Sequence, residues 1–317
     1  MHIHLPNSAF LGNLDPILKG FDPSAPDKLT ITANEHWISI HPVVVAMIGA
    51  LCHRVERKNI EWQNTTARSF HYLQRIGLTK YIPTKARDDI TEHEPAGRFI
   101  PLTNIRDAEG QTRFINDMIP LLHLEYEQAE PIKYVISELL RNVLEHAHTA
   151  AGAWVCAQYY PKTKRVGIGI ADTGIGLKAS LERAYPLGTD LEAIRYALMP
   201  GVSGSAEQDL NAGAGLFFTK TIAKANKNFF LTYTGNASYK LLKPDNKTKR
   251  PRYFADPFKD RHNTNEGLPY WQGTVVGIDI STDNTTVFSE LMQEMRALYT
   301  EKLKEKKEIT KVRPRFT

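Results

Sequence analysis

Apolar and polar positions alternate along this chain in blocks that change period, and those blocks predict its elements. Leu29-Thr-Ile-Thr-Ala33 reads as a short strand and residues 37–40 as another. A helix is predicted next, with Pro42 in its first turn and Val43, Val44, Met47, Ile48 and Leu51 on its apolar side. Asn59-Ile-Glu-Trp-Gln63 reads as a strand, and residues 66–76 as a helix stopped by Gly77. Strand, helix, strand and helix in about fifty residues imply helices packed on a sheet. Residues 1–28, rich in Pro, Gly, Asn and Asp, read as a loosely structured lead-in, and the charged stretch 85–97 as a linker.

A second series follows. Residues 98–105 read as a strand. Residues 111–127 read as largely helical, burying Phe114, Ile115, Met118, Leu121, Leu122 and Leu124, with a kink expected at Pro120. Pro131 is expected to open a helix running to about His148. On it Val135, Leu139, Val143 and Ala147 form an apolar stripe, while Glu138, Asn142 and His146 recur every four residues on an adjacent face. Residues 166–171 alternate as a strand, another strand begins at Thr274, and residues 287–304 read as an amphipathic helix with Leu291, Met295, Leu298 and Leu303 inward.

Composition changes this picture little. The 317 residues are 42% hydrophobic and 24% charged, values of an ordinary globular protein long enough for two domains. The N-terminus lacks the basic and apolar regions of a secretory signal. The longest apolar run, residues 42–52, is far short of the roughly 20 residues that span a bilayer. Two cysteines, Cys52 and Cys156, give neither a disulfide framework nor metal-ligand spacing, so a cytoplasmic protein with reduced thiols is expected. The net charge of +5 concentrates in residues 243–252 and 302–315, which read more readily as a solvated loop and a frayed tail than as a nucleic-acid surface.

The candidate chemistry lies in three stretches. In Glu138-Leu-Leu-Arg-Asn142-Val-Leu-Glu-His146, one helical face carries a carboxylate, an amide and an imidazole; alone this reads more readily as a solvated polar stripe. Asp172-Thr-Gly174-Ile-Gly176 places a carboxylate at a strand end beside a turn that lets backbone approach a ligand. A carboxylate accepting from an exocyclic amine selects adenine over guanine, although an Asp-Thr-Gly turn is also a common way to leave a strand. Residues 199–216 carry Gly201, Gly204, Gly213 and Gly215 and run into a helix expected near Gly215, an arrangement that offers N–H groups to phosphate.

In this order the three motifs resemble the N box and the two glycine boxes of the GHKL superfamily, which includes the gyrase, heat-shock chaperone, histidine-kinase and MutL-type ATPases. The likeness spans residues 98–282 and is nearest the histidine-kinase and anti-sigma-factor-kinase branch. It implies an α/β fold, a two-layer sandwich of mixed sheet and helices (the Bergerat fold), binding ATP and Mg²⁺. By the same resemblance Asn142 would bind the metal, Glu138 would act on the attacking nucleophile, and Asp172 would read the adenine amine with Thr274 nearby. Gly174 and Gly176 would shape the adenine-side turn, and Gly213 and Gly215 would wrap the phosphates. For Thr274 a β-branched residue suiting a strand is an equal reading, and for His146 a structural role is as consistent as a phosphate contact. Phe217-Phe218, where many relatives carry a small residue, and the basic insertion 243–265 depart from the family pattern.

The implied organisation is a small α/β domain over residues 1–92, similar in element order to the STAS-like anti-sigma-factor antagonists. An ATP-binding domain over 93–284 follows, and then a C-terminal helix and basic tail over 285–317. His53, His71 and His123 are poorly placed as phosphoacceptors of a sensor kinase, and too little chain follows Thr282 for a gyrase-type transducer. The implied function is ATP hydrolysis with lid closure controlling a protein partner. Phosphorylation of a STAS-like partner and nucleotide sensing without turnover stand as alternatives. A homodimer is compatible with all three; nucleic acid and membrane are not expected partners.

Overall fold

The computed structural model describes residues 1–63, 66, 70–83, 98–202, 215–244, 251–283 and 288–312. The expected linker, 85–97, lies outside the described residues. Mixed helix and sheet is the observed class. In chain order the N-terminal part contains β1 (His2–Leu5), β2 (Ser8–Ala9), α1 (Asp15–Gly20), β3 (Leu29–Ala33), β4 (Ser39–Ile40), α2 (Pro42–Arg54), β5 (Ile60–Trp62) and α3 (Phe70–Arg75). Then come β6 (Phe99–Ile105), α4 (Ala108–Met118), α5 (Tyr126–His146), β7 (Ala153–Tyr160), β8 (Arg165–Ala171), α6 (Gly176–Leu181), α7 (Asp190–Ala197) and α8 (Gly215–Ala225). The chain closes with β9 (Phe230–Gly235), β10 (Ala237–Leu241), β11 (His262–Asn265), β12 (Trp271–Ser281) and α9 (Phe288–Val312).

The central sheet has the strand order β11-β10-β9-β12-β8-β7-β6, and every pairing in it is antiparallel. A mixed sheet was the expectation; parallel pairing is confined to the small sheets β1-β3-β5 and β2-β4. Strand alternation sends successive residues to opposite faces, and here both faces are buried. Val155, Ile168, Ile170 and Ile278 join the core under α5 and α8. Trp154, Cys156 and Val275 join a second core with α2 and the small parallel sheet.

That second core corrects the two-layer expectation, because the central sheet carries helix on both sides. The reason is α2, whose residues Pro42–Cys52 are all buried. A helix apolar all round cannot sit at a surface, and this one lies between the central sheet and the core that includes Ile3, Leu5, Leu29 and Ile31. It lies so close to the sheet that a Cβ at Gly169 would fall 2.2 Å from the Val43 backbone. His41 caps the helix, its Nδ1 accepting from the Val43 N–H (3.1 Å), and its Nε2 reaches Asp279 of β12 at 3.3 Å. The expected domain division at 92/93 is therefore bridged by a shared core.

Two local expectations also change. Residues 1–28 are ordered into β1 and α1, with Ile3, Leu5, Leu11, Leu14 and Leu18 fully buried. Their high Pro and Gly content hides an apolar alternation that only pairing with β3 makes useful. The helix expected to open at Pro131 instead begins at Tyr126, with Pro131 inside it, and ends at His146. The Glu125 N–H donates to Gln128 Oε1 at 3.2 Å, a local cap that starts the helix earlier. Residues 111–127 contain a break, a 3₁₀ turn at Ile119–Leu122, where Pro120 was expected to kink them. Among the described residues no helix is long and apolar enough to cross a membrane.

Candidate functional site

α5 presents the expected apolar stripe to the core: Val135, Leu139, Val143 and Ala147 are all buried. This fixes the rotation of the helix and turns Glu138, Asn142 and His146 toward the gap between α5, the end of β8 and the start of α8. The first residue of α8, Gly215, closes one end of that gap. A Cβ there would stand 2.6 Å from Glu138 Oε2 and 3.3 Å from Asn142 Nδ2. The first turn of α8 therefore stands against a carboxylate and an amide, and a helix start, with N–H groups unbonded within the helix, offers a positive end to an anion.

At the other end β8 delivers Asp172, only 2% exposed. Its N–H donates to the Thr274 carbonyl of β12 at 2.9 Å, and its Oδ1 accepts from the Gly174 N–H at 2.8 Å. Burial pushes the carboxyl up to about 7, opposed by the backbone N–H groups of Gly174 and Thr274. Gly174 runs against α5, where the following N–H, of Ile175, donates to the Ala147 carbonyl at 2.9 Å. Gly176 opens α6 beside the cavity.

Asn142, His146, Asp172, Gly176, Gly215 and Thr274 line one cavity. Apart from Ser180 its remaining wall is apolar, with Leu139, Val143, Ile170, Leu181 and Val276 among its residues. Glu138 stands at its Gly215 end and Gly174 behind Asp172. Gly213 and most of the expected glycine-rich loop, residues 203–214, lie outside the described residues. Seven of the eight residues expected to act together are thus gathered from α5, the turn between β8 and α6, α8 and β12, segments far apart in sequence.

The charges at the mouth are arranged in opposition. Glu138 is 13% exposed and meets Arg141 Nη2 at 2.5 Å; burial raises its pKa while the guanidinium lowers it. Burial likewise holds the His146 imidazole below its usual range, with Glu145 opposing. The Asn142 side-chain nitrogen is buried without a hydrogen-bond partner. An amide flip would turn its oxygen to that position, and an amide oxygen is a donor that a hard cation accepts. Among the described residues no group of three or more His, Cys, Asp or Glu could hold a metal. A Mg²⁺ here would take Asn142 as protein ligand and complete its shell from ligand oxygens and water, which fits that ion's preference for few protein donors.

Several contributors carried no sequence signal. Gly273 adopts φ +102°, and a side chain there would strike the Asp172 carbonyl (2.4 Å) and Oδ1 (2.6 Å). Thr234 of β9 donates to the Gly273 carbonyl at 2.6 Å and accepts from the Leu177 N–H at 3.3 Å, joining β9, β12 and α6. Gln272 Nε2 donates to the Gly174 carbonyl at 2.5 Å. Phe218, one of the two aromatic departures from the family pattern, packs against Tyr134 of α5 and Tyr299 of α9. The chain matches no protein-family model, no curated protein and no solved structure.

Proposed function

We propose that this chain is an ATP-binding protein of the GHKL type, with a Bergerat-like layering of α5 and α8 over the central sheet, that hydrolyses ATP with Mg²⁺ and thereby changes how it engages a protein partner. One observation carries the reading: a fully buried carboxylate, Asp172, faces across an apolar cavity toward an orphaned amide, Asn142, and a carboxylate, Glu138, at a helix N-terminus. The apolar walls suit a flat base. Asp172 supplies the acceptor for its amine, and the first turn of α8 suits the phosphates.

In this arrangement a water oxygen attacks the terminal phosphorus, Glu138 takes the water's proton, and ADP leaves. Mg²⁺, when bound through Asn142, neutralises phosphate charge. Transfer to a protein hydroxyl would use the same residues. Calorimetry with Mg²⁺ tests the binding step: ATP should bind and GTP should not, because guanine turns a carbonyl where adenine has its amine. Equal affinity for the two would refute the pocket assignment. Labelled ATP then separates the outcomes, since free phosphate marks hydrolysis, labelled protein marks transfer, and neither marks a nucleotide sensor.

A further inference from the structure

Residues 243–265, longer and more basic than a hairpin between β10 and the final strand requires, turn inward where they are described. A single 3₁₀ turn, Pro257–Lys259, is flanked by Asp256 and Asp260. Asp256 takes Arg195 of α7 in a two-pronged pair, with Nε to Oδ1 at 3.1 Å and Nη2 to Oδ2 at 2.6 Å. Asp260, its side chain fully buried, takes Lys220 Nζ at 2.7 Å on one oxygen and Lys224 on the other, both from α8. Two carboxylates one turn apart thus tie down the helices on either side of the candidate site. Ala197 at the end of α7 and Gly215 at the start of α8 both line the cavity.

Aromatic rings hold the turn in place. The Arg195 guanidinium lies 4.9 Å over the Phe258 ring, Phe258 stacks on His262 and Tyr239, and the Tyr239 hydroxyl donates to the Pro257 carbonyl at 2.9 Å. Lys220 is one of the largest fully buried side chains in the molecule. Burying such a pair costs desolvation that an apolar pair of similar volume would avoid, so its contribution is better sought in register than in stability. Register matters here. Lys220 lies five residues, about 7.5 Å, along α8 from Gly215, and Gly215 abuts Glu138 and Asn142.

We infer that Asp260, seconded by Asp256, is a positioning residue for the phosphate end of the site: it sets where the first turn of α8 stands against Glu138 and Asn142. The inference rests on the proposed ATP reading. Adenosine reports the base end of the cavity alone, whereas the extra affinity of ATP reports the α8 end as well. Asp260→Asn should leave adenosine affinity within about twofold of the parent. It should cut the ATP-to-adenosine affinity ratio by about tenfold or more, by the loss of aligned N–H donors.

The milder Asp256→Asn, at a partly exposed site, should move the ratio in the same direction. Lys220→Met/Asp260→Leu should recover thermal stability without recovering the ratio. If the double variant regains both, or if Asp260→Asn weakens both ligands alike, the pair is merely structural and the inference fails. Should the parent bind neither ligand, the ATP reading fails. Hydrogen exchange then decides separately: faster exchange at residues 219–224 in Asp260→Asn upholds the anchoring of α8, and unchanged exchange overturns it.

Discussion

Asp172 gives the sharpest test, because its burial makes two opposite demands on pH. With the carboxyl at about 7 in the free protein, roughly one molecule in a hundred carries the ionised form at pH 5. A ligand that needs the carboxylate there forfeits two pKa units, about 2.7 kcal/mol. Adenosine is the right probe, since it lacks the phosphate that itself titrates near 6. Its affinity should rise close to a hundredfold from pH 5 to pH 8 and then level off.

Stability should run the other way. The unfolded carboxyl titrates near 3.8 and the folded one near 7, so between those values the folded state holds a proton that the unfolded state has lost. Stability therefore falls as pH rises through that window, by on the order of 4 kcal/mol in total. Asp172→Asn keeps an acceptor for the Gly174 N–H and removes the titration. It should bind adenosine about 1–3 kcal/mol more weakly at pH 8, with no pH slope, yet melt higher than the parent at pH 8 and level with it at pH 4. Calorimetry and thermal melts across pH measure both. A parent whose adenosine affinity is flat with pH, or a variant that keeps the slope, would refute the assignment of Asp172 to base recognition.

Glu138→Ala should slow phosphate release by roughly a hundred- to ten-thousand-fold while keeping ATP affinity; parental turnover would remove Glu138 from the chemistry. Arg141→Met takes away the guanidinium 2.5 Å from Glu138, leaving Glu145 and burial to raise its pKa further. The acid limb of the turnover profile should then move to higher pH at unchanged ATP affinity, and an unmoved limb would show that Arg141 does not tune the base. Asn142→Ala should abolish Mg²⁺ dependence of ATP binding, whereas full magnesium stimulation in the variant would mean the amide binds no metal. Gly169→Val drives a side chain into the Val43 backbone and should lower stability by at least about 1–3 kcal/mol; a parental melting temperature would contradict the seating of α2 on the sheet.

The parts of this protein written into local sequence are those with a short-range cause. The stripe of Val135, Leu139, Val143 and Ala147 sets the face of α5 by helical periodicity alone, and so sets where Glu138, Asn142 and His146 point. The end of β8 at Ala171 and the start of α8 at Gly215 were legible for the same reason, as a period-two run breaking into glycines and an apolar helix following them. What stayed hidden depends on partners distant in the chain. Gly273 and Thr234 matter because β12 and β9 bring them to Asp172 and Gly176, and neither carries a mark of that in its own neighbourhood. The alternating glycines of β8 read as part of a strand, but their use is to admit α2 from more than a hundred residues away. Asp256 and Asp260 carry no distinguishing mark within the basic insertion, and only their pairing with Arg195, Lys220 and Lys224 makes them the ties of two helices. Periodicity determines which face of an element is apolar. Only the packed tertiary structure decides which two faces meet, because that choice is made by shape and desolvation between segments that share no local signal.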